Sequence, residues 1–205
     1  MDWCGWRICF GVPNNFRNKE EIALQCLDVA NAAQFSTDFD DVFSHLFGNE
    51  DYKICMAFDE NGVLGGFSIF AKLKDIDTLH LHGIVLHPRA QGKGLSSKMI
   101  ETVIKNENPT FLTAKTHNSR MFETLMKFAC DTSNFYPNVD NEDIPELIYE
   151  LVRKNEFVSS ADEFLIVRNA YPDEKISQTV RNAKISNVFK RLNTMDAQVI
   201  VVKVK

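Results

Sequence analysis

The sequence lacks the features that mark membrane-spanning, secreted and metal-binding proteins. None of the apolar runs in its 205 residues reaches the roughly 18 residues that a membrane-spanning helix needs, so we expect no membrane partner. Residues 1–10 contain no basic segment followed by an apolar stretch, which argues against a secretory signal. The five cysteines form no Cys-x-x-Cys pair, which argues against a disulfide framework and a zinc site. We therefore expect reduced thiols, a cytoplasmic location and no bound metal.

The sequence also lacks an excess of positive charge, because 23 lysines and arginines stand against 28 aspartates and glutamates, for a net charge of −5. This balance gives no electrostatic reason to bind nucleic acid, and it mildly favours a cationic substrate such as an amine. Apolar residues, by contrast, make up 44% of the chain and include 16 phenylalanines, which is enough for a hydrophobic core. The length predicts a single domain over residues 1–205.

The most informative segment spans residues 84–100. An apolar strand ends at Pro88, a short loop containing Gly92 and Gly94 follows, and an amphipathic helix begins at once. The first N–H groups of a helix have no acceptor within the helix, and the helix dipole favours negative charge near them. Glycines beside those groups let a phosphate approach the backbone without meeting a Cβ atom. The segment predicts a pyrophosphate site, and the alternative is a strand-to-helix turn in which the glycines serve only tight geometry.

Two common phosphate-binding motifs do not fit this segment. A P-loop requires Ser or Thr after Gly-Lys, but Gly94 follows Gly92-Lys93, and His87 occupies the place of the first glycine. A dinucleotide-binding fingerprint requires a third glycine where this chain has Ser97. Both interpretations are therefore disfavoured.

The flanking sequence predicts a sheet on either side of the loop. Upstream, Asp59–Gly62 is a hairpin turn, and we expect its Asn-Gly pair to supply the two positive φ angles of a type I′ turn. Downstream, a helix begins after Asn118, a residue type that favours the N-cap position. The strands that these signals delimit are residues 52–58, 63–70, 78–86 and 111–116.

The pattern Gln91-x-x-Gly94-x-Ser96, after a strand that ends in Leu86-His87-Pro88, resembles the acetyl-CoA loop of the GNAT superfamily of N-acetyltransferases. The resemblance covers roughly residues 52–130 and includes the Asn118 helix about 30 residues after the loop. The chain departs from the family pattern at Ser96, where Gly or Ala is usual. The resemblance implies an α/β (α+β) fold with a mixed, mostly antiparallel central sheet flanked by helices.

The rest of the chain predicts additions to this core. Residues 131–162, which follow the fourth main helix, are predicted to form a helical insertion. The core of the acetyltransferase-like domain is then expected over about residues 1–130 and 163–205. Periodicity predicts two helices before residue 48 whose apolar stripes belong to the core. The further elements that we expect are a strand over residues 3–12, a helix over 143–154, a strand over 164–167, a helix over 174–192 and a strand over 198–204.

The resemblance implies acetyl-CoA as the co-substrate and assigns residues to hold it. The backbone of the strand before the loop would bind the pantetheine arm, the loop would bind the pyrophosphate with Lys93 as a countercharge, and an asparagine would contact the arm. By position these residues are Ile84, Val85, Leu86, Gln91, Gly92, Lys93, Gly94, Leu95, Ser96 and Asn118. For Asn118 a purely structural role as a helix cap is an equal alternative.

The catalytic groups are less clearly marked in the sequence. His80 and His82 are two residues apart on the strand before the loop, which places them on one face, and histidine titrates near neutral pH. His80 stands eleven residues before Gln91, where some family members carry a catalytic glutamate. We expect His80 or His82 to be the general base, and a structural role in the sheet is the alternative. Many family members carry a tyrosine general acid where this chain has Leu125.

The sequence as a whole therefore favours an N-acetyltransferase that moves an acetyl group from acetyl-CoA to a primary amine by direct attack in a ternary complex. The alternative is a non-catalytic acyl-CoA-binding or interaction protein of the same fold, which the leucine at position 125 supports. The acceptor, whether small molecule or protein, and the oligomeric state, a homodimer included, are left open.

Overall fold

The computed structural model describes residues 2–73, 76–138, 143–168, 170, 183–193 and 195–204. Spatial proximity of Cα atoms divides the chain into two compact units. The first unit comprises residues 1–72 and 81–108, and the second comprises residues 73–80 and 109–205. Among the described residues, no helix combines the length and the apolar character that crossing a membrane requires.

The first unit contains antiparallel strands and three helices. Two of the helices precede the third strand, and the third helix follows the loop that contains Gly92 and Gly94. Each of the strand pairs β1/β2, β2/β3 and β3/β4 is antiparallel. The elements are β1 (Asp2–Trp3), β2 (Trp6–Gly11), α1 (Lys19–Ala32), α2 (Phe39–Phe47), β3 (Lys53–Phe58), β4 (Leu64–Leu73), the Leu81–Leu86 part of β5 (Thr78–Leu86) and α3 (Leu95–Glu107).

The core of the first unit lies between the sheet and one face each of α1 and α2. The apolar stripe predicted for α2 lies in this core, where Val42 and Leu46 are buried with Cys26 and Val29 of α1. The Asp38 carboxylate caps α2 by accepting a hydrogen bond from the Asp41 N–H at 2.9 Å, which fixes the start of the helix.

The second unit is built around one long antiparallel strand. Strand β9 (Ala197–Lys203) pairs with β6 (Phe111–Thr116) along its length and with two shorter strands. The other elements are α4 (Ser119–Met126), β7 (Phe135–Tyr136), α5 (Glu146–Lys154), β8 (Ile166–Val167), α6 (Ala183–Phe189) and the Thr78–His80 part of β5.

Helix α5 occupies the segment that was predicted as a helical insertion. Its apolar face, with Ile148, Leu151 and Val152, packs in a core cluster with Val199 and Val201 of β9. The helix therefore covers the sheet of the second unit, because its apolar stripe is buried against the central strand.

The predicted fold class is confirmed: the structure is a mixed α/β fold with a mostly antiparallel sheet and flanking helices. The first strand is interrupted, however, by a turn at Cys4-Gly5. The turn at Asp59–Gly62 is also not type I′, because only Gly62 has a positive φ, of 77°. Residues 174–182 of the helix predicted over residues 174–192 lie outside the described residues, and α6 (Ala183–Phe189) forms part of the remainder.

Candidate functional site

The loop between β5 and α3 places its two glycines in the left-handed region of the backbone map. Gly92 has φ of 75° and Gly94 has φ of 74°. A Cβ atom added at Gly92 would meet no atom within 4 Å, and one added at Gly94 would meet only the Trp3 indole nitrogen, at 3.9 Å. The backbone conformation therefore favours glycine at both positions, and the absence of side chains leaves open space beside the loop.

Helix α3 begins directly after Gly94 without a capping side chain. Gly94 is the N-cap residue, and in this part of the described chain no side chain bonds to the first amides of α3. The first bond of the helix runs from the Lys98 N–H to the Gly94 carbonyl at 3.0 Å. The N–H groups of Leu95, Ser96 and Ser97 precede that bond, so they are the donors that an anion would satisfy.

The start of the loop is fixed by side chains. The Arg89 guanidinium forms an ion pair with Asp59 at 3.0 Å and donates to the Leu64 carbonyl at 3.1 Å. The Gln91 side-chain amide donates to the carbonyl of Leu86 at 3.2 Å. These bonds join the segment before the glycines to β5 and to the turn between β3 and β4, so the loop is anchored on the side that precedes Gly92.

The candidate cofactor strand residues Ile84, Val85 and Leu86 lie at the end of β5 and are half-buried. Leu86 occupies the space that a side chain at Gly66 would need, since a Cβ atom there would lie 2.3 Å from Leu86 Cδ2. The structure thus places these three residues and the loop of Gln91–Ser96 in the same unit.

His82 lies in a cluster of aromatic and titratable side chains in the first unit. Its half-buried ring stacks on Tyr52, with centroids 5.7 Å apart, and on His45 of α2, at 5.4 Å. His45 Nδ1 in turn lies 3.2 Å from an Asp41 carboxylate oxygen and 2.8 Å from the Asp41 carbonyl. Sequence reasoning missed His45 and Tyr52, because no local spacing relates α2 to β5.

His80 has different surroundings, in the second unit. It is buried, its Nδ1 lies 3.0 Å from the Thr113 hydroxyl, and its ring stacks on Phe157 with centroids 4.8 Å apart. The Asn155 side-chain amide donates to the same hydroxyl at 2.9 Å. This network joins the segment after α5 to β6, and a role for His80 as general base stays a prediction.

Asn118 is the N-cap residue of α4 in the second unit, and Leu125 lies in that helix. The Asn118 side chain accepts a hydrogen bond from the Arg120 N–H at 2.9 Å, so Asn118 caps the helix as its residue type predicts. Whether Asn118 also contacts a cofactor stays a prediction. Leu125 is fully buried and offers no proton donor. Among the described residues, no three His, Cys, Asp or Glu side chains group closely enough to hold a metal ion.

Comparison with known proteins agrees with this geometry. The model of the acetyltransferase (GNAT) family matches residues 20–119. No curated protein matches the chain. The fold resembles that of the Escherichia coli ribosomal-protein-S18-alanine N-acetyltransferase, with a TM-score of 0.57 and 15% identity over 97% of this chain and 95% of that one.

Two further solved structures share the fold. An acetyltransferase of Bacillus subtilis in complex with CoA has a TM-score of 0.55 and 16% identity, over 98% of this chain and 99% of that one. The IAA acetyltransferase of Bacillus cereus has a TM-score of 0.53 and 12% identity, over 97% and 99%. At these identities the similarity shows the fold alone.

Proposed function

The chain belongs to the acetyltransferase (GNAT) family through its domain over residues 20–119, and from that premise we propose that it transfers an acetyl group from acetyl-CoA to a primary amine in the cytoplasm. One observation carries the proposal. A loop whose two glycines have positive φ leads into a helix whose N-cap residue, Gly94, supplies no capping side chain. The residues fit a diphosphate, because the free amides, the helix dipole and the open space beside Gly92 all favour an anion there.

The chain's own residues would hold the co-substrate at two places. The amides that begin α3 and the loop of Gln91–Ser96 would bind the diphosphate, with the Lys93 ammonium as countercharge. The backbone of Ile84–Leu86 would hold the pantetheine arm. When bound, acetyl-CoA would supply the acetyl group. The amine nitrogen would form a bond to the acetyl carbon as the carbon–sulfur bond breaks, CoA would leave as its thiolate, and the proton that the nitrogen loses would pass to the base.

His82 is the better supported of the two candidate bases. Its ring is half-buried, whereas that of His80 is buried in a hydrogen-bonded core network. A base must be able to reach the ammonium group from which it takes a proton. The ring of His82 stacks on His45, and His45 Nδ1 lies 3.2 Å from an Asp41 carboxylate oxygen, so a polar group adjoins the candidate base.

The diphosphate site is tested by isothermal titration of the protein with CoA. The variant Gly94→Asp adds a carboxylate at the helix start and should abolish measurable binding. Gly62→Asp is the matched control, since Gly62 also has a positive φ, of 77°, and open space around its Cα atom. The control should bind CoA as the wild type does. Undiminished binding by Gly94→Asp would remove the loop from the proposal.

The reaction is tested by release of free CoA thiol with a panel of polyamines, small-molecule amines, and peptides with free N-termini or lysines. With a productive acceptor, His82→Gln should lower kcat by about 10²-fold or more, the usual range for a general base. His45→Gln should cost less, because that ring acts through His82. Equal rates for His82→Gln and the wild type would exclude His82 as the base.

A second candidate function is binding of an acyl-CoA without catalysis. It is favoured by Leu125, which is buried and cannot donate a proton where many family members have a tyrosine general acid. The two candidates differ in turnover: tight CoA binding with no thiol release for any amine in the panel supports the second. Release with one class of amine supports the first and identifies the acceptor.

A further inference from the structure

The N-terminal hairpin carries both tryptophans of the chain. Trp3 of β1 pairs directly with Trp6 of β2 across the turn at Cys4-Gly5, whose φ angles are both positive, 48° and 79°. Directly opposed residues of an antiparallel pair project on the same face. The hairpin therefore presents two indole rings side by side.

Trp6 anchors this hairpin to the sheet. Its ring is 5% exposed, and it occupies the space above Gly65 of β4. Trp3 is 38% exposed and lies at the outer end of the hairpin. One indole is thus fixed in the core, and the other is held over the surface of the same unit.

Both rings contact the loop that begins α3. The Trp3 indole N–H donates to the Lys93 carbonyl at 3.3 Å. The Lys98 ammonium lies 5.1 Å from the centroid of the Trp3 ring, and the Lys93 ammonium lies 5.3 Å from that of Trp6. Cations over an indole face at these distances are attracted by its negative face. Trp3 therefore joins a backbone carbonyl of the loop to a cation of the first helical turn.

The position of that carbonyl matters, because Lys93 lies between Gly92 and Gly94. Glycine has more backbone freedom than any other residue, so an untethered loop of this composition would lose much entropy on binding. The carbonyl of Lys93 and the N–H of Gly94 belong to one planar trans peptide group and point in opposite directions. A hydrogen bond that holds the carbonyl towards Trp3 directs the Gly94 N–H away from the indole.

We propose that Trp3 is a positioning residue for CoA: it orders the Gly92–Gly94 backbone through the Lys93 carbonyl and packs against the Lys98 ammonium, which also forms an ion pair with Glu101 at 3.0 Å. The inference rests on the proposed function, since CoA is the ligand that the ordered loop would receive. Trp3 acts through the loop and through Lys98. Its expected effect is on the affinity for CoA and not on the chemical step.

Two variants separate the contributions of Trp3. Trp3→Phe keeps an aromatic face for Lys98 but removes the N–H donor, and should raise the Kd for CoA by about 2- to 10-fold. Trp3→Ala removes both contacts and should raise it by about 5- to 50-fold. In each variant the KM for acetyl-CoA should rise with the Kd, while kcat at saturating acetyl-CoA stays within about twofold. Phe35→Ala is the control, because Phe35 is an exposed aromatic of the same unit, and it should bind CoA normally.

Tryptophan fluorescence provides a readout that a merely structural role would not move. Saturating CoA should change the emission of the wild type, and the change should be much smaller in Trp3→Phe, which keeps Trp6. Melting temperatures of both variants establish that they are folded, and Trp3→Phe carries the test if Trp3→Ala does not fold.

The outcomes separate the role of Trp3 from the proposed binding of CoA. Wild-type protein that does not bind CoA overturns the proposed function and this inference with it. Wild-type binding, together with unchanged affinity in Trp3→Phe and Trp3→Ala, overturns the role of Trp3 alone. Tighter binding by the variants also overturns it, since the indole would then obstruct the loop.

Discussion

The ring of Trp6 fills the space that a side chain at Gly65 would need. A Cβ atom at Gly65 would lie 1.9 Å from the ring atom Cζ3 and 2.3 Å from Cη2, far inside van der Waals contact. Gly65 lies on β4 and Trp6 on β2, so the pair holds the base of the N-terminal hairpin against the sheet.

Replacing Gly65 with alanine should destabilise the protein by about 1–3 kcal/mol, because a rigid buried ring must move to admit the methyl group. Urea denaturation of Gly65→Ala measures this loss. Gly83→Ala is the control: Gly83 is also a strand glycine without a positive φ, and a Cβ atom there would meet no atom within 4 Å. Adding Trp6→Leu to Gly65→Ala should cost less than the sum of the single changes. Additive losses would contradict the contact.

The buried bond from Asn155 to Thr113 should contribute to stability in the second unit. Asn155→Ala removes the donor to the Thr113 hydroxyl and the acceptor of the Phe157 N–H at 3.1 Å. Leaving buried polar groups without partners costs about 1–3 kcal/mol. Glu156→Ala, at the exposed neighbouring position, should change stability by less than about 0.5 kcal/mol. Two equal urea midpoints for these variants would show that the network contributes nothing.

Exposed cysteine thiols should react faster with a thiol reagent than buried ones. Burial raises the pKa of Cys55 to about 12 and also raises that of Cys26, while Cys4 and Cys130 are exposed. Thiolate is the reactive form, so the two buried thiols should stay unmodified by a disulfide reagent near pH 8. We expect rapid modification of Cys4 and Cys130 in the native protein and of all five cysteines after denaturation. Rapid loss of the Cys26 thiol under native conditions would contradict this prediction.

Stability should fall on mild acidification, in part through His117. Burial lowers the pKa of this side chain below its ordinary value of 6.5. The unfolded chain therefore takes up the proton at a higher pH than the folded chain, so the contribution of His117 to stability is present above about pH 6.5 and is lost below it.

The replacement His117→Gln should accordingly flatten the decrease in unfolding free energy between about pH 7.5 and 5.5. His45→Gln serves as the control, because His45 is exposed. The measurement is urea denaturation across this pH range. A decrease as steep in His117→Gln as in the wild type would assign the pH dependence to other groups.

The hairpin turns illustrate where local sequence rules succeed and fail. Asn61-Gly62 has the composition of a type I′ turn, but the Asp59 carboxylate accepts hydrogen bonds from the N–H groups of Asn61 and Val63, at 3.0 and 2.9 Å. These bonds hold a turn in which only Gly62 has a positive φ. Cys4-Gly5 has the weaker signal, yet both of its φ angles are positive. Trp3 and Trp6 are paired directly across this turn, a contact that turn preferences do not describe.

The histidines show the same limit within the candidate site. Alternation along β5 correctly identifies a strand that carries two imidazoles, but it says nothing of their partners. His80 meets Thr113 and Asn155, and His82 meets His45. All of these partners are at least 30 residues distant in sequence, so their identity depends on how the chain folds back on itself.

The sequence by itself determined the order of strand, glycine loop and helix, the capping of α4 by Asn118 and the family to which these belong. Backbone conformation and apolar periodicity act over a few residues, so they can be read from neighbours in the chain. Only the tertiary structure decided that Trp3 and Trp6 face the loop, that Leu125 is buried and that His80 lies in a closed polar network. Those arrangements depend on packing between segments far apart in sequence, which no local pattern records.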